Sequence, residues 1–521
     1  MMKKALHYLP LAIFAALLPV MILRDFTPSN ELRYLSIADE AIEQGNVFAF
    51  TNHGEPYADK PPLYLWIVML GRLLCGGHAM WFLSLFSFVP AVVIMMIMNR
   101  WVREVTDDEM RFTASMMLMS CGLFLGLAVV LRMDMLMCMF ITLALWLFWR
   151  MYTGKGGRRE RILFPIAVFM ALFSKGPVGV LVPLVSTIAF LVVRGKWRDI
   201  GRYWGWTTWG ILLAGCAAWF GAVWIEGGSE YLNNLLFHQT VDRAVDAFHH
   251  KEPFWYYLVS VWYSLALWSP LFCVVYVTAA ARREKLTELE TLFVTVIVTT
   301  VAMLSAFSSK LAVYLAPTFP FFVYLAAMLM SRMKTNGFMR GAVAFVAAVY
   351  IVVLPVIAVP AFGIEGAFVG NAWCIVAASV MLVAGIVALV FIGRPNLNVS
   401  ICTLAGGLFV ALFFGGLALH SLNAEIGYGE LCRTAREVAA EKGLDGYYVW
   451  KVSRPENMDV YLGEDVRELS AEEVLEGRSR GGVLMLSERW LRRNDDIRRF
   501  VENNGRITVG NNMIVVLQDG E

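Results

Sequence analysis

Residues 371–392, NAWCIVAASVMLVAGIVALVFI, run through a full helix length without one Asp, Glu, Lys or Arg. A helix of about 20 apolar residues crosses the roughly 30 Å hydrocarbon layer of a bilayer, so this stretch reads as a membrane span. Comparable stretches recur along the chain: 6–23, 78–99, 111–130, 133–150, 162–174, 176–193, 203–225, 255–280, 291–307, 311–330, 341–361 and 399–420. The expected fold is therefore a polytopic α-helical membrane protein with about 13 transmembrane helices. Composition agrees: the 521 residues are 58% hydrophobic and 17% charged, with a mean hydropathy of +0.61. Soluble domains are about 45–50% apolar and about 25% charged.

The net charge is only +2 and the basic residues form no single stripe, which argues against a nucleic-acid partner. Six of the eight cysteines (Cys121, Cys138, Cys216, Cys273, Cys374 and Cys402) fall inside apolar runs, and no C-x-x-C pair occurs. They read as small hydrophobes rather than a disulfide framework. Lys3-Lys4 followed by the apolar stretch to Leu23 reads as an uncleaved signal anchor.

Lys and Arg concentrate in alternate loops, around Arg100–Arg111, Lys155–Arg161, Arg194–Arg202, Arg282–Lys285 and Arg332–Arg340. The positive-inside rule makes that side cytoplasmic, and the multi-pass chain is expected in a bacterial inner membrane. The opposite, periplasmic side then receives two long connections, 24–77 and 226–254, and the short turns holding Asp134, Lys175 and Lys310. The first connection should be structured. Ser29 to Gln44 reads as a helix capped by Ser29 or Asn30 and stopped by Gly45, and Pro62 to Cys75 is too short to span and reads as interfacial. Residues 1–420 thus form a transmembrane domain. After His420 the sequence turns polar, with strand-like runs at Tyr447–Val452, Gly482–Leu486 and Met513–Leu517, so 421–521 is expected to be a small periplasmic α/β domain.

Ionisable groups at membrane depth are expensive and tend to be paired, cavity-lining or functional. They cluster here in Asn30-Glu31-Leu32-Arg33-Tyr34 and in Tyr57-Ala58-Asp59-Lys60-Pro61-Pro62-Leu63-Tyr64-Leu65-Trp66. Interfacial anchoring accounts for some of the Tyr and Trp, but less readily for Glu31, Arg33 and Lys60. Further along lie Asp134, the step Ser174-Lys175-Gly176-Pro177, Arg243, His249-His250-Lys251-Glu252-Pro253-Phe254-Trp255-Tyr256-Tyr257, and Ser309-Lys310 followed by Tyr314 and Pro317.

This ordered set, collinear over roughly the first 330 residues, resembles the GT-C superfamily of integral-membrane glycosyltransferases. Its nearest resemblance is to the branch of the bacterial lipid A aminoarabinose transferase and, more distantly, the protein O-mannosyltransferases. The resemblance implies an Asp-Glu-x-Arg-Tyr motif on an interfacial helix, matched by Asn30 to Tyr34, and an acidic-Lys-Pro motif, matched by Asp59 to Pro62. It also implies an enzyme that takes a sugar from a polyprenyl (undecaprenyl) phosphate and passes it to lipid A, a related glycolipid or a periplasmic protein. Glu31 and Asp134, with Asn30, are then the expected catalytic positions. Lys60, Arg33, Tyr34, Lys175, Arg243, Lys310, Tyr57 and Tyr314 are expected to hold the donor phosphate and substrate. The sequence departs from the motif at Asn30, where the relatives carry an acid. A phosphate acceptor needs no general base whereas a hydroxyl does, so this loss tilts the expectation toward a phosphate on lipid A.

Transfer with inversion needs cations on the departing phosphate in a water-poor cavity. The polyprenyl tail is expected in an apolar groove beneath the first outer loop. No cofactor is required, although Asp59 and His250 have donor types suited to a divalent metal. The rivals are a protein O-glycosyltransferase, and a transporter of lipid-linked substrates, which would carry polar groups through the membrane depth rather than at one face.

Overall fold

The computed structural model describes residues 2–236, 252–358, 368–502 and 504–517. Among these, nine helices are long and apolar enough to cross a membrane, from Met2–Leu23 to Asn398–Leu417. Two further candidates are broken pairs: Asp108–Met119 with Gly122–Val129, bent by 70°, and Tyr256–Ser264 with Ser269–Ala281, bent by 117°. The described chain therefore offers nine to eleven spans where thirteen straight ones were expected. Two expected spans account for the difference. Arg158–Lys175 opens on three arginines and a glutamate, and the 16-residue Val178–Val193 is only about 24 Å long at helical rise, short of the bilayer core.

A broken helix strands backbone groups that lipid cannot satisfy, so each break needs a partner inside the protein. Here the two breaks serve each other. Gly122 N–H donates to the Ala266 carbonyl at 3.0 Å, and the Trp268 indole N–H donates to Ser120 Oγ at 2.9 Å.

The first connection is structured. A helix over Glu31–Gln44 starts after Asn30 and ends at Gly45, whose φ of 74° lies in the left-handed region that glycine tolerates. A two-residue hairpin follows, β1 (Thr51–Asn52) with β2 (Glu55–Pro56), and Glu40 accepts from the N–H groups of both turn residues, His53 at 2.7 Å and Gly54 at 3.0 Å. A helix over Leu63–Cys75 completes the connection.

The start of the second connection is helical rather than looped, because helix Trp206–Asn233 runs on past the expected end at 225, with a kink at Gly228. That extension grips the first connection. Glu226 Oε1 accepts from the N–H groups of Val47, Phe48 and Ala49, each at 2.8 Å, and the Tyr231 hydroxyl donates to the Tyr57 carbonyl at 2.7 Å.

Toward the C-terminus, β3 (Tyr447–Trp450), β4 (Val466–Glu468), β5 (Val483–Ser487), β6 (Gly505–Val509) and β7 (Asn512–Val516) form one sheet ordered β4-β3-β5-β7-β6. β3 lies parallel to both β4 and β5, while β7 runs antiparallel to β5 and β6. One face of this sheet does not have a core to itself. Val449, Val483 and Met485 share a single buried cluster with Leu32, Leu35 and Ile37 of the first connection and with Leu131 and Met133. Polar ties reinforce it: Ser36 Oγ donates to Asp459 at 2.7 Å, and Asp25 accepts from the Tyr461 hydroxyl and from Gly429 N–H.

Candidate functional site

Glu31 is fully buried. Arg24, at the end of the first helix, donates to both of its carboxylate oxygens, at 2.6 and 2.7 Å. Thr27 adds its N–H and hydroxyl, each at 2.8 Å, and Leu131 N–H donates at 2.8 Å. Burial works against the charge, but these donors hold the carboxyl below the usual range. Five donors thus occupy the two carboxylate oxygens, and the geometry is that of a clamp from the first connection to the turn before Asp134. Arg33, three residues from Asn30, reaches Asn30 Oδ1 at 3.4 Å and does not touch Glu31. Its guanidinium lies 5.8 Å from the Tyr34 ring and 5.7 Å from the Tyr57 ring, within the electrostatic reach of Asp59.

Asp59 and Lys60 meet at 2.8 Å, and the Tyr57 hydroxyl donates to Asp59 at 3.3 Å. Burial raises the Tyr57 phenol, with Tyr34 and Asp59 adding to the effect. Burial also pushes the Tyr34 phenol up to about 12, against the pull of Arg33 and Arg132. Tyr34 therefore joins two groups: the Arg33–Asp59–Lys60 set on the first connection and the charges around Asp134.

Asp134 is buried at the start of its helix. Lys175 pairs with one carboxylate oxygen, and Arg132 Nε lies 3.0 Å from the other. Lys175 ends helix Arg158–Lys175, and the chain can turn back at once because Gly176 takes φ 109°. Gly179 then lies so close to helix Arg158–Lys175 that a Cβ would stand 2.2 Å from the Ala171 backbone. This is the physical content of the Lys-Gly-Pro step. The Lys175 ammonium also sits 4.7 Å from the Tyr314 ring. Lys310, 4% exposed, donates to the carbonyls of Glu252 at 2.9 Å and Phe307 at 2.5 Å, and no carboxylate pairs with it among the described residues.

Arg33 and Lys60 thus gather about Asp59, and Arg132 and Lys175 about Asp134, in a part of the protein rich in tyrosine, while Lys310 stands four residues before Tyr314, whose ring Lys175 approaches. Such a surplus of buried and half-buried cations suits a phosphate. Arg132 escaped the sequence reading although it stands two residues before Asp134 in the same turn. Glu226 and Tyr231 also escaped it, since their partners lie far away in sequence, and so did Arg24, although it stands only seven residues before Glu31. Arg243, His249 and His250 fall outside the described residues. Among the described residues no three His, Cys, Asp or Glu side chains converge as metal ligands, and Asp59 faces Lys60 instead.

An apolar groove of 460 Å³ runs between helices Tyr256–Ser264, Ser269–Ala281, Glu288–Ala306 and Phe319–Arg332. Tyr257, Val261, Tyr276 and Phe322 line it, and no residue of the first connection does, so it lies elsewhere than beneath that loop. Helix Tyr256–Ser264 packs on the turn Ala312–Thr318, which carries Tyr314.

Residues 59–221 match the family described as dolichyl-phosphate-mannose-protein mannosyltransferase. The chain is 24% identical over 332 residues to an undecaprenyl phosphate-alpha-4-amino-4-deoxy-L-arabinose arabinosyl transferase of Pseudomonas savastanoi, covering 61% of each. It is 23% identical over 279 residues to the enzyme of the same name from Edwardsiella ictaluri, covering 51% of this chain and 49% of the relative. The match thus spans between about half and three fifths of these relatives' length. Among solved structures, ArnT from Cupriavidus metallidurans in the apo state superposes with a TM-score of 0.73 at 18% identity, covering 98% of this chain and 97% of that one. The same protein bound to undecaprenyl phosphate gives 0.74 at 17% identity, covering 98% of both. The fold is ArnT-like, and the resemblance read from the motifs stands. The chain is similar to GT-C integral-membrane glycosyltransferases in the branch of the lipid A aminoarabinose transferase.

Proposed function

We propose that the chain is a glycosyltransferase that moves a sugar from an undecaprenyl phosphate carrier to lipid A or a related glycolipid on the periplasmic side of the inner membrane. The observation that carries this reading is the excess of cations around Asp134 and Lys60. The named activity of the relatives and the undecaprenyl phosphate bound by ArnT of the same fold support it.

An acceptor oxygen attacks the anomeric carbon from the face opposite the phosphate, and the bond to the phosphate oxygen breaks with its electron pair left on phosphate. Lys60, Arg33 and Lys310 hold that growing charge. An arriving phosphate also competes with Asp134 for Lys175 and Arg132, which loosens the carboxylate and lets it orient the acceptor or take a hydroxyl proton. The polyprenyl tail lies in the apolar groove beside Tyr257, below the turn that carries Tyr314. The sheet around β3 to β7 belongs to a periplasmic C-terminal unit of about residues 421–521, which packs on the catalytic loop.

A strain lacking the gene, complemented with wild type or Lys60→Ala, tests the proposal by mass spectrometry of lipid A. A sugar-sized mass present with wild type and absent with Lys60→Ala is the expected result. Protein O-glycosylation is the second reading, favoured by the mannosyltransferase match over 59–221 and by a buried Asp134 able to serve a hydroxyl acceptor. It predicts unchanged lipid A and periplasmic proteins that lose a glycan. No change in either overturns both.

A further inference from the structure

The C-terminal sheet carries a cavity of its own, apart from the cation cluster. It measures 690 Å³ and lies at the end of β3, lined by Trp450, Lys451, Glu468, Ser470, Trp490 and Arg493 among others. Trp450 is buried and its indole N–H has no acceptor, an unusual state for a buried tryptophan. Trp490, by contrast, leaves 43% of its surface exposed. The Lys451 ammonium stands 5.8 Å from the Trp490 ring and the Arg493 guanidinium 5.5 Å. Neither cation meets a carboxylate among the described residues. Nearby arginines do: Arg467 and Arg478 reach Glu473 at 3.3 and 3.0 Å, and Arg492 reaches Glu488 at 2.8 Å. Lys451 also holds a φ of 55°, a backbone conformation that side-chain-bearing residues rarely adopt.

We infer that this cavity binds an anionic saccharide, a sugar ring bearing phosphate or carboxylate. The exposed indole offers a flat apolar face for the C–H side of a pyranose. The two cations beside it take the anionic substituent. The Lys451 ammonium and the Arg493 guanidinium give the lining donors, which calls for a ligand rich in acceptors. Glu468 and Ser470 accept from sugar hydroxyls, and the carboxylates of Glu468 and Glu473 in the same lining disfavour a polyanion such as nucleic acid. The inference does not depend on the transfer reaction, because none of these residues belongs to the site proposed for it.

The test uses the full chain in detergent and saturation-transfer NMR with glucosamine 6-phosphate, glucosamine, and inorganic phosphate as competitor. Glucosamine 6-phosphate should bind, with its ring protons saturated. Trp490→Leu, which keeps bulk but removes the aromatic face, and Trp490→Ala should each weaken it by about tenfold. The Lys451→Ala/Arg493→Ala double variant should reduce it to the level of glucosamine. Nanodiscs carrying the same phosphorylated headgroup on a lipid identify the source. Binding there but not to the free sugar, and dependent on Trp490, assigns a glycolipid; the reverse assigns a soluble sugar phosphate. Equal binding by wild type and all the variants overturns the inference, as does binding in neither format. If inorganic phosphate displaces the sugar phosphate equally well with and without Trp490, the cavity holds an adventitious ion only.

Discussion

Two buried carboxylates, Glu31 on the first connection and Asp134 on the next turn, look alike in sequence and differ in what surrounds them. Glu31 takes five hydrogen bonds from Arg24, Thr27 and Leu131, two of them from backbone N–H groups that cannot move away. Among the described residues Asp134 is held by the ends of two long side chains, Lys175 and Arg132, which an incoming phosphate can draw off. Burial alone therefore does not tell the two groups apart. The kind of partner decides whether the group is a fastener or a moving part.

Four experiments bear on that difference. The largest effect is expected at the Asp134 end. Asp134→Asn should lower kcat/KM for sugar transfer, measured per folded molecule, by about 10²–10⁴-fold, well beyond what the stability lost by stranding Lys175 explains. Equal losses of stability and activity would make Asp134 a fastener too. Glu31→Ala should act the other way, removing about 3–5 kcal/mol of stability by stranding buried Arg24, as read from thermal unfolding in detergent. A folded Glu31→Ala protein with normal Tm but no transfer would reverse the assignment.

A smaller effect is expected from Tyr231→Phe. It leaves Phe50 N–H and the Tyr57 carbonyl without their partner, and should cost about 1–3 kcal/mol of stability with little change in transfer per folded molecule. The smallest is a pH effect. Because the Glu31 carboxyl is held below its ordinary 4.5, its contribution to stability is complete above that value and is lost as pH falls through the lowered one. Thermal shifts between pH 7 and pH 3 should show this decline, and Glu31→Gln should flatten it.

Much of the site could be read from residue order alone. Lys60, Lys175, Lys310 and Asp134 stood out because charge near a membrane is costly, and three of the four end or begin a helix or adjoin a turn. Local rules also served where the cause was local, as at Gly45, whose positive φ stops the first-loop helix. They failed where the folded geometry chose among several nearby partners or brought in a distant segment. Arg33 and Glu31 share a helix turn, yet Glu31 found Arg24 and Arg33 found two tyrosine rings. The straight spans read at 111–130 and 255–280 are bent, because each break supplies the other with the hydrogen bond that lipid would withhold.

The sequence by itself determined that this is a multi-pass helical protein with a polar, strand-bearing C-terminal region, because hydropathy over some 20 residues is a sum that no later contact can undo. It also determined which ionisable types stand at the turns. Only the tertiary structure decided which of them meet. Partner choice depends on side chains brought together from 100 or more positions apart, as Glu31 with Leu131 or Ser36 with Asp459, and no local periodicity encodes such a meeting.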